Sequence, residues 1–270
     1  MTIAELQEDR VVEAVYAVKA KRKLRTRGGA PYLALELVDP TGRIEARVWS
    51  DVELLDGRFA EGDAVRVLGR VERFRDRLQL DVRSLEASDV DPGSLTPAVR
   101  RDIEELRGFL DFLVAEVSHP GLAGTVRAVL ADAPLDARPA TPDAHHSYAG
   151  GLLEHTVGVA TLCRETSQLH PRLRADLLLA AALVHDVGRV LELGPGPAFA
   201  ITDEGRLLGH VQLGVRLVDR WAQGLTELQK AELLHCVAVH HDPRAARTAE
   251  AAVLHHANAL DAVAATRPTG

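Results

Sequence analysis

The sequence predicts a multidomain chain in which a small all-β barrel precedes an all-α helical domain. Three observations predict it. From about Arg10 to Glu86 apolar and polar residues alternate with the period of two that strands show, whereas from Ala98 onward they recur at helical spacing. Between these parts, Ala87 to Pro97 (ASDVDPGSLTP) sets two prolines and a glycine among small polar residues, the composition of a linker. All twelve histidines lie at or beyond His119, so imidazole chemistry belongs to the second part alone. The expected divisions are 1–88, a linker at 89–97, and 98–270.

In the first part, Arg10 to Ala20 is valine-rich. Pro31 to Val38 carries Leu33, Leu35 and Leu37 on one face, and Arg43 to Trp49 carries Ile44, Ala46 and Val48. Asp39-Pro40-Thr41-Gly42 turns the second strand into the third. A short helical piece, Asp51 to Asp56, follows; Ala64 to Val71 and Arg77 to Leu85 then form a second hairpin through Phe74-Arg75-Asp76. Five short strands with a helix between the third and fourth is the plan of an OB-fold, which binds oligonucleotides on its second and third strands and adjoining loops. With the leucines inward, Tyr32, Arg47 and Trp49 face outward on that surface. Phe74 falls in the loop between the fourth and fifth strands, and the basic run Lys19, Lys21, Arg22, Lys23, Arg25 and Arg27 forms the loop between the first and second. Aromatic platforms for bases beside cations for phosphates are what single-strand binding needs.

In the second part, Ala98 to Val117 and Leu122 to Ala131 are amphipathic, and the prolines of Ala133 to Asp143 require a loop. Helical patterns then run over Gly151–Thr166, Arg172–Val187, Gly205–Trp221, Glu227–His241 and Thr248–Ala264, with an irregular piece around Gly194-Pro195-Gly196-Pro197. No apolar run approaches the roughly 20 residues of a membrane span, and MTIAELQEDR is too acidic for a signal peptide, so a cytoplasmic protein without membrane contact is expected. Cys163 and Cys236 are isolated in apolar helical patterns and read as reduced core thiols. A net charge of −7 excludes nucleic-acid binding by bulk electrostatics and leaves it to a local patch.

The helical domain is organised around Asp176 to Arg189, DLLLAAALVHDVGR. Leu177 to Val184 is apolar all round, as in a helix sealed inside a core; His185 and Asp186 follow, with Gly188 as the expected helix stop. A carboxylate carried into such a core is costly unless it is paired or binds a metal. Helical spacing brings further groups to it. His155 shares a stripe with Leu152 and Val159, His210 with Leu207 and Gly214, Asp261 with Leu254 and Ala257, and either His240 or His241 with Leu233 and Val237. Imidazoles and carboxylates together suit first-row divalent cations, and Asp186 is placed to bridge two of them.

His155, the doublet His185-Asp186 and a final Asp261 resemble the HD superfamily of metal-dependent phosphohydrolases, and His210 with His240 matches its two-metal members. The segments His145-His146-Ser-Tyr-Ala-Gly-Gly-Leu-Leu-Glu-His155-Thr, His185-Asp186-Val-Gly-Arg189, Thr202-Asp-Glu-Gly-Arg-Leu-Leu-Gly-His210 and Ala259-Leu-Asp261-Ala, behind an OB-fold with Pro31-Tyr-Leu and Asp39-Pro-Thr-Gly, resemble the YhaM family of bacterial 3′→5′ exoribonucleases. The resemblance implies that His155, His185, Asp186 and Asp261 hold one metal and that Asp186, His210 and His240 hold the other, with His241 the neighbouring candidate. It further implies that Arg189, where many relatives have lysine, faces phosphate and that His145 and His146 contact the scissile phosphate or product. The implied cofactors are two divalent ions, manganese first and iron, cobalt, nickel or magnesium behind it. The implied substrate is single-stranded RNA or DNA, shortened from its 3′ end to nucleoside 5′-monophosphates. The small size of the domains alone makes a homo-oligomer an expectation. A free nucleotide or cyclic dinucleotide is the alternative substrate, and an idle binding module the third reading.

Overall fold

The computed structural model describes residues 1–266, so the last four residues of the expected helical domain, 267–270, lie outside the described residues. The chain forms two compact units. One comprises Met1–Ala98 with Pro195–Phe199, and the other Val99–Gly194 with the chain from Ala200 on.

The first unit is a closed five-stranded barrel of β1 (Val11–Arg25), β2 (Pro31–Asp39), β3 (Gly42–Val48), β4 (Ala64–Phe74) and β5 (Arg77–Ala87), with α1 (Val52–Asp56) between β3 and β4. Its order is β1-β2-β3-β5-β4, closed by β1 pairing with β4; β3 and β5 run parallel and every other pair antiparallel. This is an OB-fold, and closure removes the exposed strand edges of an open sheet. Leu33, Leu35, Leu37, Ile44, Ala46 and Val48 all face its core, as their alternation dictates.

Two expectations about its loops fail. The basic run is strand, not loop: β1 continues to Arg25, which pairs with Pro31, so only Arg27 lies in the connection. The cause is charge neutralisation along the strand. Lys21 Nζ donates to the carbonyls of Asp56 and Phe59, Lys23 pairs with Glu53 and Asp56, and Lys19 lies 3.7 Å from Glu36. Phe74 likewise ends β4 and is not in the loop, because Arg75 and Asp76 (φ 49° and 62°) close a two-residue turn of the type whose twist matches the strands. Residues 89–97 are not a free tether either: Pro92–Leu95 form a 3-10 turn packed on β1 and β2, with Asp91 accepting from the Gly93 N–H.

The second unit contains α2 (Ile103–Ala115), α3 (Pro120–Asp132), α4 (Gly151–Leu169), α5 (Ala175–Val184), α6 (Arg189–Glu192), α7 (Asp203–Trp221), α8 (Glu227–Val239) and α9 (Ala249–Thr266). α5 is the central element, with every residue from Leu177 to Val184 buried and α3, α4, α8 and α9 packed around it. It ends at Val184, before the His185-Asp186 doublet. Gly188 does not stop it, since its φ of −62° is helical. Glycine is required there by close approach: a Cβ would lie 1.9 Å from the His210 carbonyl and 2.5 Å from the Gly214 nitrogen. That contact presses α7 onto the turn carrying the doublet.

Asp39 fastens the barrel. It is 3 % exposed; Oδ1 accepts from the Thr41 and Gly42 N–H groups and the Thr41 hydroxyl, while Oδ2 accepts from the Ile3 N–H. Replacing it strands several donors, so Asp39→Ala is predicted to cost about 1–3 kcal/mol, read as a lowered urea midpoint at unchanged m-value.

Candidate metal centre

His185 and His240 occupy equivalent places, each capping the C-terminus of its helix. The Nδ1 of His185 donates to the Ala182 carbonyl (2.8 Å) and that of His240 to the Val237 carbonyl (2.7 Å). A carbonyl only accepts, so each ring carries its proton on Nδ1 and turns the Nε2 lone pair inward. His155, on α4, is set the same way by donating from Nδ1 to Asp261 Oδ2 at 2.6 Å. All three imidazoles are fully buried.

These lone pairs meet Asp186. Its Oδ2 lies 3.8 Å from His155 Nε2 and 3.9 Å from His185 Nε2, which are themselves 3.3 Å apart with no proton to share. Its Oδ1 lies 3.3 Å from both His210 Nε2 and His240 Nε2. Despite that proximity, Asp186 Oδ1 and His240 Nε2 are buried without a hydrogen bond. Such orphaned acceptors are costly in a dry core and are what a cation would satisfy. The donor set, imidazole nitrogen with carboxylate oxygen, suits first-row divalent metals. Two groups of candidate ligands, His155-His185-Asp186 and Asp186-His210-His240-His241, thus share one carboxylate.

Burial is the main reason His185 stays neutral, well below the ordinary imidazole range. Burial alone would raise Asp186, but His185, His240, Arg189 and His210 around it hold it well below the carboxylate range. The pair therefore rests as neutral imidazole and carboxylate.

The other expected site residues fall into place differently. His241 Nε2 stands 2.9 Å from His210 Nε2 on an exposed ring, while the buried, carbonyl-fixed ring is His240. Asp261 is not among the converging ligand atoms. It stands behind His155, on the Nδ1 side, with Oδ1 seated against Gly158, where a Cβ would come 2.2 Å from it. His145 and His146 lie beside His155, their rings 4.8 and 5.4 Å from it, with His146 3.8 Å from Asp261. Arg189 Nε is 3.7 Å from Asp186 Oδ2 and has no acceptor, and its Nη1 donates to Glu192.

On the barrel, the rings of Tyr32 and Trp49 stack at 4.8 Å, with Trp49 50 % exposed. Leu24 pairs with Tyr32, and one step along the sheet Arg22 and Arg47 flank Ala34. Arg47 is shared with Glu45, Arg25 donates to the Gly29 carbonyl, and Phe74 stands exposed under Arg75. Lys19, Lys21 and Lys23 are engaged in the ion pairs described above and do not join this face.

Sequence reasoning missed Glu192 and gave Glu154 no partner, while His255, off the Asp261 stripe, reads from the sequence as a surface group or one behind the ligands. Glu192 accepts the His210 N–H (3.1 Å), Glu154 accepts the Tyr148 hydroxyl (2.6 Å), and His255 Nδ1 donates to the His240 carbonyl (2.9 Å). Glu192 could have been found from its spacing, three residues after Arg189 and on the same side of a single turn.

His145 is held at about 4, by burial first and then by His155 and His146. A histidine that is neutral when folded and protonatable when unfolded makes the unfolded chain the greater proton binder between about 4 and 6.5. Its contribution is full above about pH 6.5 and is lost as pH falls towards 4. In chelator-treated protein, Tm is predicted to fall across that window and to fall less steeply in His145→Gln; parallel slopes would contradict the assignment.

Comparison with known proteins agrees with this geometry. The HD domain family model matches residues 152–263, and the model described as an OB-fold nucleic acid binding domain matches 15–87. The 3′-5′ exoribonuclease YhaM of Bacillus subtilis (strain 168) is 29 % identical over 266 residues, covering 93 % of this chain and 84 % of the relative. Among solved structures, the second OB-fold domain of replication protein A from Methanococcus maripaludis is 26 % identical and covers 33 % of this chain and 94 % of that one, at a TM-score of 0.28. A replication protein A heterotrimer bound to ssDNA is 24 % identical over 29 % of this chain and 57 % of that one, at 0.25. The barrel stands on its strand order. An OB-fold thus stands ahead of an HD domain whose imidazoles close on one shared aspartate, and over nearly its whole length the chain is similar to a YhaM 3′-5′ exoribonuclease.

Proposed function

We propose that the chain is a metal-dependent 3′→5′ exoribonuclease that shortens single-stranded RNA and releases nucleoside 5′-monophosphates. The observation that carries this reading is Asp186, whose two oxygens face two different imidazole groups. The relative matched over nearly the whole chain bears the name of that activity.

In this reading His155, His185 and Asp186 would hold one divalent ion and Asp186, His210 and His240 the other, with His241 beside the second group and Asp261 orienting His155. Manganese is the first candidate. Bound ions would neutralise phosphate charge and make hydroxide available near neutral pH. The chain's residues do the rest. The carbonyls of Ala182 and Val237 fix the tautomers of His185 and His240, so these rings need no reorganisation. Arg189 offers an unpaired Nε–H and a permanent charge to a non-bridging phosphate oxygen; its guanidinium keeps its proton, so it is no general acid. His145 and His146 contact the phosphate or the departing mononucleotide, His145 as a neutral ring at neutral pH. Water oxygen bonds to phosphorus, the bond from phosphorus to the 3′-oxygen of the preceding nucleotide breaks, and that oxygen takes a proton.

The barrel holds the strand by stacking bases on Tyr32 and Trp49, with Arg22 and Arg47 near the phosphates. No described helix is long and apolar enough to cross a membrane, and the proposed place of action is the cytoplasm, as a homo-oligomer.

With manganese and a 5′-labelled oligoribonucleotide, His185→Ala and Asp186→Ala are each predicted to lower cleavage by about 10³-fold or more, the loss of several kcal/mol of charge stabilisation. Strand affinity should be unchanged. If either variant still degrades RNA at the wild-type rate, or if small nucleotides turn over while RNA is untouched, the reading fails. Trp49→Ala should weaken strand binding by about 5- to 100-fold, from about 1–3 kcal/mol per stacked base, at unchanged metal content.

A further inference from the structure

Glu192 is the last residue of the single-turn helix α6, and its carboxylate is tied at both oxygens. Oε1 accepts the backbone N–H of His210 at 3.1 Å and lies 3.5 Å from that ring's Nδ1. Oε2 accepts from Arg189 Nη1 at 2.6 Å, and Arg189 Nε is 3.7 Å from Asp186 Oδ2. The His210 N–H is available because α7 is broken one residue earlier: Gly209 has φ 69° and ψ 159°, a backbone region essentially restricted to glycine. A Cβ at Gly209 would meet nothing within 4 Å, so glycine is needed there for conformation and not for room.

The main chain of Glu192 is clamped as well. Its carbonyl accepts the Thr202 N–H at 2.9 Å, and Gly205 packs so closely that a Cβ would lie 2.5 Å from the same oxygen. The first turn of α7 therefore grips Glu192, the carboxylate of Glu192 grips His210 beyond the break, and Arg189 is held between Glu192 and Asp186. A carboxylate behind a ligating imidazole favours the proton on the nitrogen nearer to it; Glu192 Oε1 lies 3.5 Å from His210 Nδ1, and the opposite nitrogen, Nε2, lies 3.3 Å from Asp186 Oδ1.

We propose that Glu192 is the positioning residue of the second ion position: it sets the His210 ring towards Asp186 and keeps Arg189 beside it, acting through both and touching neither ion nor substrate. This rests on the metal reading of His210 given above.

Manganese titration by calorimetry of chelator-stripped full-length protein tests it, with thermal unfolding as a folding control. The wild type is expected to take up two ions. Glu192→Ala should keep one ion at wild-type affinity and bind the other about 10- to 100-fold more weakly. Glu192→Gln retains an acceptor for the His210 N–H and should recover most of that loss. Gly209→Ala, which fills no space but forbids the break, should reproduce the selective weakening even if Glu192→Ala does not fold. Two ions at wild-type affinity in Glu192→Ala or Gly209→Ala, or equal weakening of both ions, would overturn the proposal. A wild type that binds no manganese would overturn the metal reading itself, and this inference with it.

Discussion

Two imidazole lone pairs, those of His155 and His185, face each other 3.3 Å apart in a region closed to water, and neither has a proton to give. Everything else in the helical unit is arranged around that constraint. Each ring is turned by an acceptor behind it, Asp261 for His155 and the Ala182 carbonyl for His185, while Val237 does the same for His240. The last carbonyls of a helix have no partner within it. Here two helices spend one of those carbonyls on the side chain that caps them, so the requirement to finish α5 and α8 also dictates which nitrogen points inward. Facing lone pairs beside a buried carboxylate are reconciled only by positive charge between them.

Positive charge from the protein is close but does not fill that role. Arg189 approaches Asp186 at 3.7 Å without a hydrogen bond, and its Nη1 donates to Glu192 instead, so the strongest local ion pair lies one step away from the carboxylate that would need it. Two glycines permit the close contacts around the site. Gly188 lets α7 pass within contact of the turn that carries Asp186, and Gly158 admits Asp261 against α4. In both places the missing side chain is the structural feature, and any Cβ would drive ligand-bearing elements apart.

Much of this was legible from spacing. Period-two alternation gave the strands and their inward faces, and the 3.6-residue period put His155, His210 and the pair around His240 on one side of their helices. What spacing cannot convey is rotation about the last bond. Asp261 lies on the inward stripe as expected, yet its carboxylate meets His155 from behind, because the choice between the two sides of an imidazole depends on where α4 leaves a gap at Gly158. The basic run was misread as a loop because charge density suggests solvent. The acids that neutralise Lys21 and Lys23 sit in α1, about thirty residues away in sequence, and only the closed barrel brings them together. Glu192 was passed over because its importance comes from a break at Gly209 that leaves no mark in a hydropathy pattern.

The economy of charge on the barrel has a consequence for movement. Lysines committed to α1 are drawn away from phosphate, so in the reading proposed above the exposed face would meet a strand mainly with ring faces and a few guanidinium groups. Stacking is indifferent to which base is present and is nearly the same at each register, whereas a row of fixed cations would tax every one-nucleotide slip with broken contacts. In that reading a surface of this kind would lose little affinity to salt and let its guest advance, the grip suited to a protein that takes units one at a time from an end.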